Sequence, residues 1–237
     1  MYQKSAVYYD AIYSFKNYQK EADKIHQLIQ QHKRSSGRTL LDVACGTGGH
    51  LAFLRQHYEV EGLDVNPDML KIARPKHPDM RFHQGEMASF NLKRKFDAII
   101  CLFSSIGYVK TKQRLHQTIQ NMARHLQPGG VLIIEPWFSP EAFIPGTVHG
   151  LWVDKPDLKI ARINVSLVKD NVSIMDMHHL VGTPNGVEHF VERHEMALFT
   201  HEEYIEAFRS ANLEVTYEPD GLTGRGLYVG SRLKQIV

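Results

Sequence analysis

Leu40-Leu41-Asp42-Val43-Ala44-Cys45-Gly46-Thr47-Gly48-Gly49-His50-Leu51 decides how the rest of the chain is read. It predicts a buried strand from Thr39 to Val43, a glycine turn, and then a helix. Gly46 and Gly48 carry no Cβ, so a ligand can lie against their backbone, and both tolerate positive φ in a tight turn. The helix that follows would turn its unpaired N–H groups toward the same ligand. A glycine-rich strand–turn–helix early in an α/β domain is a nucleotide-type cofactor site, with Ala44, Gly46 and Gly48 as candidate contacts. The plainer alternative is an ordinary βα turn whose amides are held by Asp42.

The kind of cofactor follows from what the turn lacks. A dinucleotide fingerprint needs a third glycine where Leu51 stands, which with the acid at position 42 disfavours a nicotinamide oxidoreductase. A phosphate loop needs Lys followed by Ser or Thr, and neither is there. Asp42 precedes the first glycine by four residues, a place suited to a cationic head such as the ammonium of a methionyl group. Val60–Asp64 predicts a second strand ending in an acid, roughly 20 residues past the turn, where α/β sites set a carboxylate on ribose hydroxyls. Met80–Met87 predicts a third strand, after which Glu86 can accept from an adenine amine and Met87 can pack on the ring.

Taken in order, these three stretches resemble the class I S-adenosylmethionine-dependent methyltransferases. The resemblance implies a seven-stranded Rossmann-like α/β sheet. It also implies S-adenosyl-L-methionine as cofactor, S-adenosyl-L-homocysteine as product, and Leu102 beside Asp42, Ala44, Gly46, Gly48, Asp64, Glu86 and Met87 as a cofactor contact.

The 237 residues leave room for one full α/β domain and a modest insertion. A hydrophobic content of 43% supports a real core rather than disorder. The net charge of +2 is small and scattered, which argues against nucleic-acid or membrane partners. No run approaches the roughly 18 apolar residues of a membrane span, and the N-terminus has no signal-peptide core. Cys45 and Cys101 read as small buried residues in a reducing cytosol, so the expected location is cytoplasmic. The 14 histidines show no metal-ligand spacing, and no metal is expected.

Tyr8-Tyr9-Asp10-Ala11-Ile12-Tyr13 predicts a short helical lid within residues 1–36, with Tyr13 facing either the reaction centre or its neighbours' rings. Helical spacing continues from Tyr18 to Gln31 until Ser35-Ser36-Gly37 breaks it. The cofactor domain then spans 37–138 and 200–237. Phe96–Leu102 is the continuous apolar run of a strand buried on both faces, and Phe103–Tyr108 follows at the acceptor mouth. A helix through Leu115–Leu126 stops at Gln127-Pro128-Gly129-Gly130, and Val131–Ile134 is the fifth strand. From 139 to 199 the pattern alternates, with Ile163, Val165 and Leu167 opposing Arg162, Asn164 and Ser166. Asp170-Asn171 and Pro184-Asn185-Gly186 supply turns, so this is a small inserted antiparallel sheet capping the acceptor. Thr200-His201-Glu202-Glu203 is a capping box opening a further helix.

The resemblance narrows to sugar-nucleotide N,N-dimethyltransferases acting on TDP-linked 3-amino-deoxyhexoses. Tyr9-Asp10 with Tyr13, His83-Gln84-Gly85 with Met87, Phe103-Ser104-Ser105 with Gly107-Tyr108, Glu135-Pro136-Trp137 and Gly224-Arg225-Gly226-Leu227 carry it. Departures are Glu86 where that group usually has Asp, Leu102 where it often has Met, and Phe138 beside a single Trp. The implied chemistry is in-line attack of a neutral amine on the sulfonium methyl, with alignment worth roughly 7–11 kcal/mol and a base worth roughly 10²–10⁴-fold. Tyr13, Tyr108, Glu135 and His178 are candidates to orient the amine or take its proton. Arg162 and Arg225 are forks for a diphosphate, and Trp137 can stack on a ring; with Tyr13 and Glu135 they form the expected acceptor site. A surface histidine or arginine is the plainer alternative for His178, Arg162 and Arg225. The expected partner is a small nucleotide-linked amino sugar, in a chain that is a possible homodimer. Two readings stay open: another small amine, hydroxyl or carboxylate acceptor, and a non-catalytic cofactor-binding module.

Overall fold

The computed structural model describes residues 4–233; the expected lid and cofactor-domain segments therefore extend by three and four residues beyond what is described. In chain order the elements are α1 (Tyr9–Ile12), α2 (Tyr18–His32), β1 (Thr39–Val43), α3 (Leu51–Leu54), β2 (Glu59–Asp64), α4 (Pro67–Lys76), β3 (Arg81–Gln84) and β4 (Phe96–Cys101). There follow α5 (Lys112–Arg124), β5 (Leu126–Ile134), β6 (Val148–Lys155), β7 (Leu158–Lys169), β8 (Val172–Thr183), β9 (Gly186–Ala197), α6 (His201–Ser210), β10 (Leu213–Glu218) and β11 (Leu227–Arg232).

β4 is apolar at all but one position and every one of its residues is buried. It lies inside a seven-stranded sheet of order β10-β11-β5-β4-β1-β2-β3. The first five strands in sequence run parallel, and only β11 enters antiparallel, against β5 and β10. Helices cover both faces. Leu41, Ile99, Leu132 and Phe208 pack in the core on one side, and Leu40, Ile100, Ile133 and Ile25 on the other. Helix starts follow the local chemistry: Asn66 accepts from the Asp68 amide ahead of Pro67, and Thr200 with Glu203 closes a reciprocal capping box.

One expectation is corrected. β5 starts at Leu126, five residues before the anticipated Val131, because Phe96 pairs with Leu126 and the register shifts before Ala98 meets Val131. The helix after the glycine turn is one turn long, since α3 ends at Leu54.

β6 to β9 form a separate antiparallel four-stranded sheet between β5 and α6. Both of its faces are mixed in polarity: Val153, Ile160, Met175, Val181 and Phe190 are buried with the polar groups, and Asp176 pairs with Arg193 on the exposed face. Asn164, Ser166, Ser173, His179, Glu192 and His194 lie on the buried face. Trp152, Ile163, Val165, Leu167, Leu180 and Val191 are exposed on the other, Trp152 at 69%. No helix among the described residues is long and apolar enough to cross a membrane.

Candidate active site

The tips of β1, β2 and β4 converge on the glycine turn. Ala44 and Cys45 donate to the Leu63 carbonyl at 2.7 and 3.0 Å, and Ala44 is held at φ 63°, a left-handed geometry that non-glycine residues seldom adopt. Asp64 accepts from the Gly46 and Asn66 amides, each at 2.8 Å. A Cβ built on Gly46 meets nothing within 4 Å. That space opens into a cavity of about 180 Å³ lined by Tyr9, Ala44, Gly46, Asp64, Glu86, Met87, Phe103 and Tyr108. A second, smaller cavity adjoins it through shared walls and is lined by Tyr18, Asp42, Thr47, His50, Leu102 and Phe103.

Asp42 is 2% exposed. Burial, and then the neighbouring Asp64, push its carboxyl well above the ordinary range, and a cation in the small cavity would restore its charge. Burial also raises Asp64, against the pull of its backbone donors. Burial pushes Glu86 up as well, but hydrogen bonds from Ser89 and Arg114 outweigh it and leave its carboxyl below the usual value. Gly48 departs from expectation: its φ of 82° is needed, yet it faces His77, whose ring a Cβ would approach to 2.9 Å. It shapes the turn rather than the cavity wall.

The N-terminal segment lies at this mouth, where Tyr9 lines the cavity. The Thr47 hydroxyl donates to Asp10 at 2.7 Å, and Lys76 pairs with the other Asp10 oxygen at 2.6 Å. Upstream, the Lys4 and Ser5 amides donate to Glu192 on β9. Tyr13 is buried, sets its ring edge-on to Phe103 at 5.0 Å, and accepts a 3.0 Å hydrogen bond from Arg162. Tyr108 bonds His194 Nδ1 at 2.6 Å. Burial lowers the His194 pKa to about 4, so the imidazole is neutral at pH 7. Trp137 donates through its indole N–H to Ser173 at 2.9 Å, with the Arg225 guanidinium 5.7 Å from its ring.

Two catalytic candidates line neither cavity. Glu135 is fully buried, and its oxygens accept from the Phe103 amide at 2.7 Å, the Thr223 hydroxyl at 2.7 Å and Arg225 at 3.2 Å. It ties the Phe103 turn to the 223–225 loop and lines neither cavity. His178 pairs with Ile163 in register on the outward face and stacks on His189 at 5.5 Å. Its sequence neighbour His179 points inward instead, stacked on Phe190.

Sequence reasoning missed Tyr9, Arg114, His194 and Glu192. Strand alternation carried a usable signal for the last two. His194 and Glu192 fall in line with Ser166 and Asn164 across the register, on the face that also holds Arg162.

The family described as "Methyltransferase domain" matches residues 40–130. The chain is 42% identical over 217 residues to the dTDP-3-amino-3,4,6-trideoxy-alpha-D-glucopyranose N,N-dimethyltransferase of Streptomyces venezuelae, covering 91% of each chain. It is 40% identical to the dTDP-3-amino-3,6-dideoxy-alpha-D-glucopyranose N,N-dimethyltransferase of Streptomyces fradiae, over 91% of this chain and 85% of that one. Among solved structures, SAM-bound CalS10, an amino pentose methyltransferase from Micromonospora echinaspora, superposes with a TM-score of 0.86 at 37% identity, covering 98% of both chains.

Proposed function

We propose, from the premise that this chain belongs to the dTDP-amino-sugar N,N-dimethyltransferases, that it dimethylates the 3-amine of a dTDP-linked amino-deoxyhexose in two successive transfers. The chain is an S-adenosylmethionine-dependent methyltransferase acting on an amino sugar, and its cofactor supplies a methyl group made electrophilic by the sulfonium.

The acceptor reading is supported by where the likeness runs. An alignment over 91% of this chain must include most of the antiparallel sheet as well as the cofactor domain. The donor set also fits the cofactor. Gly46 leaves open space before the turn, Asp42 is a buried acid on the small cavity, and Asp64, Glu86 and Met87 line the larger one. Asp42 would meet the ammonium, Asp64 the ribose, and Met87 the adenine face, with Glu86 at its amine. Ala44 and Leu102 would close the walls.

On the acceptor side, Arg162 beside Tyr13 and Arg225 beside Trp137 offer two cations for a diphosphate. Each transfer turns a neutral amine into an ammonium, which must lose one proton before a second methyl can be accepted. Tyr108, bonded to a neutral His194, is the group we assign to orient that nitrogen. Alignment by the lid and the inner sheet face would be the main rate term, roughly 7–11 kcal/mol.

The exposed apolar face of β6–β8 is the covering surface for a second copy of the chain. The reading is of a cytoplasmic homodimer with a small-molecule acceptor and no nucleic acid. A panel of dTDP-3-amino and dTDP-4-amino sugars, followed by mass spectrometry for mono- and dimethylated product, tests the acceptor. Turnover of free amines alone, with no nucleotide sugar methylated, would end it.

A further inference from the structure

Lys16 is buried where an aliphatic side chain would pack as well. Its side chain is 3% exposed, and its ammonium lies 4.0 Å from the Phe103 ring centroid and 5.4 Å from that of Tyr18. Glu21 accepts from Lys16 at 2.8 Å through one oxygen and lies 2.7 Å from His50 Nε2 through the other. Burial pushes the Glu21 carboxyl up, but the hydrogen bonds from His50 and Lys16 more than reverse this, so it stays ionised.

A buried ion pair of this kind is often no better for stability than an apolar substitute. Its position is what distinguishes it. Tyr18, Phe103 and His50 all line the small cavity that also holds Asp42. One acid thus organises two groups able to carry positive charge at the edge of a cavity whose own acid is buried. A zwitterionic amino-acid head needs that combination: an acid for its ammonium and a cation for its carboxylate.

We propose that Lys16 and His50, organised by Glu21, receive the α-carboxylate of the cofactor's amino-acid head in the cavity where Asp42 receives its ammonium. This rests on the cofactor reading above. It also ties the cofactor to the lid, because the Lys16 amide donates to the Tyr13 carbonyl at 3.0 Å. Filling the cavity would hold Tyr13 in place over Phe103.

Calorimetry on the full chain separates this from a structural staple. The two probes are S-adenosylhomocysteine and its decarboxylated analogue, which keeps the adenosine, thioether and ammonium. Lys16→Met should weaken S-adenosylhomocysteine about tenfold and leave the analogue within about twofold, while Lys16→Arg retains most of the wild-type preference. Lys16→Gln, which keeps a hydrogen bond to Glu21, replaces Lys16→Met if that variant does not fold. Equal losses for both ligands, or no loss for S-adenosylhomocysteine, would overturn the proposal and leave the cofactor reading intact. Absence of any S-adenosylhomocysteine binding by the wild-type chain would remove the cofactor reading itself, and the proposal with it.

Discussion

The two sheets of this molecule sort their residues differently. In the seven-stranded sheet, apolar residues are buried by the chain's own helices, and acids occur at strand tips such as Asp42 and Asp64. In the four-stranded sheet, polar residues such as Ser173, His179 and His194 share the inner face with Ile160, Val181 and Phe190, while Ile163, Val165, Leu167 and Leu180 are exposed on the outer one beside the Asp176–Arg193 pair. Under the proposed function, the exposed apolar residues are what a second copy would cover, and the inward polar groups are what an acceptor would meet. Alternation therefore marks the core in one sheet and leaves a solvent-facing apolar set in the other.

The sharpest way to break this contrast is at the first sheet's turn. Gly46→Val sets a β-branched residue at φ 56° with its side chain in the cavity space; S-adenosylhomocysteine affinity should fall by about 100-fold or more by calorimetry, with little change in far-UV dichroism. Next, a Trp152→Glu, Val165→Glu double variant should convert a dimer to a monomer in light scattering while leaving the thermal midpoint of the cofactor domain nearly unchanged; a wild-type monomer would remove the second interface. On the inner face, Arg162→Met should raise KM for the nucleotide sugar about tenfold and leave cofactor affinity unaltered, which a purely structural arginine would not do.

The smallest expected effect is a pH slope. His194 titrates near 4 in the fold and at 6.5 when unperturbed, so the unfolded chain binds more protons between those values. Stability present above pH 6.5 is then lost as pH falls toward 4. Glu192, Arg162 and His179 act on the same ring. His194→Gln should flatten this part of the midpoint-versus-pH curve and, if Tyr108 orients the amine, raise the ratio of mono- to dimethylated product.

The parallel sheet was legible because fully buried strands read as nearly continuous apolar runs, broken only by Asp97 at Phe96–Cys101, and because Asn66-Pro67 and Thr200-Glu203 announce helix starts. Asp42, Asp64, Glu86 and Met87, expected at the cofactor, line two adjoining cavities, and they were legible because strand tips are local in sequence. The residues expected at the acceptor gather less readily from sequence. Alternation separates two faces of β7 and β8 without saying which is inward, and an apolar face is ordinarily taken as the inner one. His178 falls on the outward face, as its plainer surface alternative has it, while His194, on the next strand of the same ladder, went unnoticed. Glu135 was misread because its partners Thr223 and Arg225 lie about ninety positions away.

The Glu135 clamp limits how this scaffold can be re-purposed. Phe103 and Ser104 sit consecutively at φ 51° and 60°, with Phe103 fastened through its amide to the same carboxylate that grips the 223–225 loop. Someone transplanting that loop from a relative to alter sugar preference would also be shifting Phe103, which walls both cavities. Successful chimaeras should be those that move both segments as one module.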